Sequence, residues 1–190
     1  MKQKIIFLVL FMAAGVFGFS QRQKSDYKFH SINSLAFLNG ESEVSAGLQS
    51  VNGFQKGNWF AGIGLGLDYY IQRSVPLFAD VRYQFGNKKN KFFVYADAGA
   101  NLEWAEDFRD VFIWDGSNVN SEFKNGVYTD AGLGYIVTMK KGGGLVLSLG
   151  HSLKTLKELS AYQDWRSQEW VTDIYRYRLN RIVLKVGWRF

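Results

Sequence analysis

Hydrophobic and polar residues alternate with a period of two along most of this chain. The last ten residues show it most plainly. Ile182, Leu184, Val186, Trp188 and Phe190 fall on one face, and Arg181, Val183, Lys185, Gly187 and Arg189 fall on the other. Successive side chains of an extended strand point to opposite sides, so the pattern predicts a strand with one greasy and one polar face.

Seven earlier segments read the same way. The first, Ile32 to Leu38, is the least regular, and Gln21 to His30 before it reads as a polar lead-in. The second runs from about Glu43 to Phe54, with Val44, Ala46 and Leu48 sharing a face. The third sets Trp59, Ala61, Ile63, Leu65, Leu67 and Tyr69 against Phe60, Gly62, Gly64, Gly66 and Asp68. The fourth sets Val75, Leu77, Ala79, Val81, Tyr83 and Phe85 against Phe78, Asp80, Arg82 and Gln84. Pro76 sits near its start, where a missing ladder donor is tolerated. The fifth sets Phe92, Val94, Ala96, Ala98, Ala100 and Leu102 against Phe93, Tyr95, Asp97, Gly99 and Asn101. In the sixth, Val127, Thr129, Ala131, Leu133, Tyr135 and Val137 oppose Tyr128, Asp130, Gly132, Gly134 and Thr138. In the seventh, Leu145, Leu147 and Leu149 oppose Gly144, Ser148 and Gly150. Gly- and Asn-rich turns separate most of them. Two long, charged and aromatic connections, about 103–124 and 152–176, are expected to be loops.

Composition narrows the class. Twenty glycines, 17% aromatic residues and a single proline disfavour helices and suit strands joined by tight turns. Met1-Lys2-Gln3-Lys4 followed by the apolar run Ile5 to Phe19 and the small-polar step Ser20-Gln21 reads as a signal peptide over 1–20, leaving one domain over 21–190. That run is short for a bilayer span, and nothing later is a transmembrane helix candidate. A mature chain that enters a membrane must therefore do so as a closed sheet. Cysteine is absent, which excludes disulfides, thiolate metal sites and cysteine nucleophiles. Without the two leader lysines, 21 basic residues face 17 acidic ones. The excess is small and scattered, and it argues against a nucleic-acid partner.

Alternation alone does not say which face is outside. Three features favour lipid on the greasy side. With both termini on one side, the connections between strands two and three, four and five, and six and seven are short and share that side, while both long connections lie opposite, as in outer-membrane barrels. The polar face carries Gly62, Gly64, Gly66, Gly99, Gly132, Gly134 and Gly187 among the charged residues Asp68, Asp80, Arg82, Asp97, Asp130, Lys185 and Arg189. Inside an eight-stranded barrel, small residues make room for long neighbours, and these acids and bases are expected to pair into an interior charge network. That predicts a plugged polar interior, not an open pore. Lastly, Trp59, Tyr69, Tyr83, Phe85, Phe92 and Trp188 lie near strand ends on the greasy face, where aromatic girdles meet the two membrane interfaces.

The closing segment Lys185-Val186-Gly187-Trp188-Arg189-Phe190, ending on an aromatic residue, resembles the carboxy-terminal strand of bacterial outer-membrane barrels. Together with Asn39-Gly40-Glu41-Ser42, the run Ala61 to Tyr70, Val75-Pro76-Leu77-Phe78 and Tyr95-Ala96-Asp97-Ala98-Gly99, it makes the mature chain similar to the small outer-membrane β-barrel proteins of Gram-negative bacteria. The likeness is to the uncharacterised Bacteroidetes type with an OmpA/OmpX-like barrel. The resemblance implies an all-β, eight-stranded antiparallel up-and-down transmembrane barrel in the outer membrane. It implies Phe190 as an assembly signal read by the barrel-assembly machinery, and outer-membrane lipid and lipopolysaccharide as surroundings. It implies no agreed activity.

Candidate chemistry is sparse. Gly62-Ile63-Gly64-Leu65-Gly66 lacks the strand–turn–helix setting of a phosphate loop and reads as one strand face. Outer-membrane lipid A deacylases carry His and Ser two apart at the outer rim. Here His151 and Ser152 are adjacent, so their side chains should point to opposite faces, and Glu158 could serve them only by folding back. No enzymatic activity, cofactor or metal site is expected. The sequence reading is a monomer with a structural or surface-interaction role, any extracellular ligand meeting the loops 103–124 and 153–178. A narrow channel and a lipid-modifying enzyme are the alternatives.

Overall fold

The structure, a computed structural model, describes residues 26–86, 90–104, 120–139, 143–163 and 170–190. The expected signal peptide and most of the 103–124 connection lie outside the described residues. The described chain is almost entirely strand: β1 (Tyr27–Gly40), β2 (Val44–Lys56), β3 (Trp59–Asp68), β4 (Ser74–Gly86), β5 (Asn90–Glu103), β6 (Asn120–Lys124), β7 (Gly126–Thr138), β8 (Gly144–Gln163) and β9 (Trp170–Arg189). Pairing is antiparallel throughout, and β9 pairs with both β8 and β1, so the sheet closes. Eight strands make the barrel. Short β6 continues β7 and pairs only with β8.

Closure fixes the geometry. Following ladder partners from Phe29 through Phe54, Ala61, Val81, Ala96, Ala131, His151 and Ile182 returns to β1 at Asn39, ten residues beyond the start. That offset over eight strands tilts them by about 40° from the barrel axis. The greasy face is outside on every wall: Ile63 is 67% exposed, Leu133 64%, Leu149 57% and Ile182 58%. An apolar surface of this extent around the whole circumference belongs against lipid, and the chain is a transmembrane barrel.

An aromatic ring borders this band on the side of the termini. Trp59 contacts Tyr83 at 4.9 Å between ring centroids, and contacts continue through Phe85 and Phe92 to Tyr135. Phe29–Phe54 and Trp188–Phe190 extend it onto β1, β2 and β9. Tyr69 lies at the opposite end, in the β3–β4 turn.

Three expectations are corrected. The end of the expected 103–124 loop, Asn120–Lys124, is strand β6, because it pairs with the extended β8. β1 begins at Tyr27, so Tyr27 to His30 is strand and not lead-in. The expected loop over 152–176 is largely strand, because β8 and β9 each run for 20 residues and pair as far as Gln163↔Trp170. Pairing of β9 with β1 stops at Gly40↔Arg181, so the upper β8–β9 hairpin rises clear of the β1 wall. On its other side β6 pairs with β8. The join of β6 and β7 holds a bulge: Lys124 faces Lys157 while Tyr128 faces Lys154, one residue more on this side than on β8. Gly126 fits there because a Cβ would overlap the Thr155 carbonyl.

Candidate functional site

Among the described residues, polar chemistry is concentrated away from water inside the barrel. β4, β5 and β7 set Asp80, Asp97 and Asp130 side by side as ladder partners, all buried. Adjacent like charges repel, and two cations answer them. Arg82 donates to Asp80 through Nε at 2.9 Å and Nη2 at 2.7 Å. Lys185 Nζ reaches across from β9 to Asp130 at 2.8 Å and Asp97 at 3.4 Å. Tyr95 and Tyr128 donate their hydroxyls to the two Asp130 oxygens at 2.9 and 3.3 Å.

Aromatic rings fill the space around these charges. Phe60, Phe78, Phe93, Tyr95 and Tyr128 join Ile32, Val51, Ile136 and Val146 in one buried cluster. The inward glycines make this possible. Gly64 is the ladder partner of Phe78, and Gly134 of Phe93. A Cβ on either would overlap its partner's ring, and a Cβ on Gly150 would overlap the Tyr95 hydroxyl. The Arg82 guanidinium lies 5.3 Å from the Phe93 ring centroid and Lys185 Nζ lies 4.6 Å from that of Tyr95, so the cations are held by rings as well as carboxylates. The interior at this level is filled by aromatic residues as much as by charge.

A second polar knot closes the outer mouth. The β3–β4 connection makes a γ-turn: the Gln72 N–H donates to the Tyr70 carbonyl at 2.7 Å, and Ile71 takes a positive φ of 58°. This strained turn sends Tyr70 inward over the end of β1, where its hydroxyl accepts from the Ser42 N–H at 3.2 Å. Beneath it Asp68 pairs with Arg181 and, at 3.4 Å, with Lys154. Lys154 Nζ also donates to the carbonyls of Gln72 and Tyr70 at 2.7 and 3.1 Å. Arg181 donates to Ser152 Oγ at 2.8 Å. Lys154, Arg181, Tyr70 and Ser152 were not singled out as interior sites by sequence. Arg181 falls on the polar face of the closing strand, and Lys154 lies in the stretch whose sequence predicts a loop. Its signal is the even-numbered inward phase of β8, which continues unbroken from Ser148 through Ser152.

The structure places Asp68, Asp80, Arg82, Asp97, Asp130, Lys185 and Arg189 all inside the barrel. It brings the first six into ion pairs. Arg189 differs: among the described residues it makes no ion pair, and its Nε has no hydrogen-bond partner. It sits at the terminal-side mouth, below the row of aspartates that Arg82 and Lys185 already occupy. The last strand is tied at that mouth through Phe190, whose N–H donates to the Ser31 carbonyl at 2.9 Å and whose carbonyl oxygen lies 3.0 Å from His30 Nδ1. At the other end His151 faces outward and Ser152 inward, on opposite sides of β8. Glu158 accepts from the Tyr177 hydroxyl at 2.7 Å.

No protein-family model and no curated relative matches this sequence. Among solved structures, the chain is similar to the solid-state NMR structure of outer membrane protein AlkL in DMPC lipid bilayers. The TM-score is 0.50 at 7% identity, over 91% of this chain and 94% of that one. At that identity the likeness concerns the fold.

Proposed function

We propose that this chain is a bacterial outer-membrane barrel with a structural or surface-interaction role at its outer end, and neither an enzyme nor a pore. One contrast carries the reading: the lumen is filled by ion-paired and aromatic side chains, while the β6–β8–β9 sheet stands above the rim. An eight-stranded barrel is just wide enough for its own side chains, and here both the central and the outer layers are occupied. His151 and Ser152 diverge, and Ser152 already accepts from Arg181, so this serine has no histidine base beside it.

Lipopolysaccharide is the nearest partner of suitable chemistry. Lys157 faces Arg176, and Arg178 faces Thr155, on the outward side of the β8–β9 extension just above the apolar band. Exposed cations at that height meet headgroup phosphates. The closing strand ending on Phe190 supports assembly by the barrel machinery, and the Gram-negative resemblance of the sequence supports the outer membrane as location.

The mature chain in planar bilayers, and its melting with and without lipopolysaccharide, test the reading together. No conductance steps are expected, and lipopolysaccharide should raise the unfolding temperature in a way that K157Q/R176Q/R178Q abolishes. Stable conductance, or indifference to lipopolysaccharide, would contradict it.

A further inference from the structure

On β1 and β2 the lipid-facing band is interrupted by a cluster of polar residues. On β1 the outward residues run Phe29, Ser31, Asn33, Leu35, Phe37, and on β2 Leu48, Ser50, Asn52, Phe54. Ser31 is the ladder partner of Asn52 and Asn33 that of Ser50, so two hydroxyls and two carboxamides form a two-by-two block turned toward lipid. Its first row is the next outward pair above the Phe29–Phe54 ring contact, and its second row approaches the middle of the band. Among the described residues, no other barrel strand puts an amide in the middle of this face.

The block is poorly satisfied as it stands. Asn33 Nδ2 and Asn52 Nδ2 reach only the serine two residues away on their own strands, both at 3.4 Å, and Asn52 Oδ1 is covered but without a partner. Hydrocarbon offers such groups nothing, so they are costly against lipid alone. Around them Ile63, Leu65 and Trp188 give an apolar border.

We propose that this block is a contact between two copies of the chain within the membrane. A carboxamide both donates and accepts, so the surface complements itself. A two-fold axis along the membrane normal sets β1 of one copy against β2 of its partner, the isologous arrangement in which residue i meets j and j meets i. Strand tilt offsets neighbouring strands by about one residue in depth, which brings Asn33 and Asn52 to nearly the same level. Each asparagine of one copy then meets the other asparagine of its partner, and the exchanged hydrogen bonds satisfy groups that lipid cannot. The contact replaces the monomer expected from sequence. It rests on the band facing lipid, and barrel folding is scored separately for that reason.

Because the chain has no cysteine, Ser50→Cys carries a unique thiol. The full mature chain is oxidised in native membranes and in phospholipid vesicles, and barrel folding is read from the mobility shift of unheated samples. A disulfide-linked dimer is expected from Ser50→Cys and not from Leu133→Cys on the far wall. Adding Asn33→Leu and Asn52→Leu to Ser50→Cys should abolish the dimer while the folded mobility remains. A folded Ser50→Cys barrel that stays monomeric overturns the proposal. So does equal cross-linking from Leu133→Cys, or capture of a different protein in place of a second copy.

Discussion

Lys185 Nζ lies 2.8 Å from Asp130 Oδ2, although β9 and β7 share no ladder. The pair passes over the inner face of β8 and ties the closing strand to the next strand but one. Replacing Lys185 with Met leaves Asp97 and Asp130 buried without their cation. A loss of about 3–5 kcal/mol is expected, read from urea unfolding out of vesicles. Adding Asp97→Asn and Asp130→Asn should restore most of it.

Arg189 is the opposite case on the same strand face. It is buried and without an ion-pair partner among the described residues. Arg189→Leu should therefore change stability by less than about 1 kcal/mol, or raise it. The same urea titration checks this, and a cost equal to that of Lys185→Met would contradict it.

These two residues show how far the sequence could be read. The alternation that marks the closing strand puts Lys185 and Arg189 on one face, and both are buried. Which of them finds an acid depends on barrel shear, a property of eight registers together that no single strand encodes. The membrane strands were legible because lipid on one side forces a hydrophobic period of two. At the rim that constraint lapses: the outward positions Thr155 and Lys157 are polar while the buried inward ones hold Lys154 and Leu156, so Lys154 through Glu158 reads as loop. β1 was blurred for another reason. Its inward face carries Ile32, Ala36 and Leu38 while its outward face carries Ser31 and Asn33, an inverted pattern that hid the strand's first half.

Gly134 and Phe93 form a size-matched pair across β7 and β5. Gly134→Val drives a side chain into the Phe93 ring, and overpacking of this kind costs about 1–3 kcal/mol. Phe93→Ala costs stability by itself but should reduce the penalty of Gly134→Val. A double-mutant cycle by urea unfolding reads that coupling. Simple additivity would mean that the ring does not occupy the glycine's space.

Above the rim, the hydrogen bond to Glu158, aided by partial burial and the carboxylate's charge, pushes the Tyr177 phenol up to about 12. A phenol held above its unfolded value favours the fold while protonated. That contribution is whole below the ordinary value of 10.0 and is lost as pH rises through about 12. Ultraviolet titration of the parent minus Tyr177→Phe should isolate this high transition. In Glu158→Gln it should move back toward 10.0, and no movement would mean that the bond is not made.

A membrane barrel requires that the oily face meet lipid. Nitroxides attached at Ile63→Cys, Leu133→Cys and Leu149→Cys, one at a time in vesicles, measure this directly through collisions with dissolved oxygen and with a water-soluble nickel chelate. All three outward sites should collide freely with oxygen and hardly at all with nickel. Ready collision with nickel at these positions would place the apolar band in water and contradict the membrane barrel.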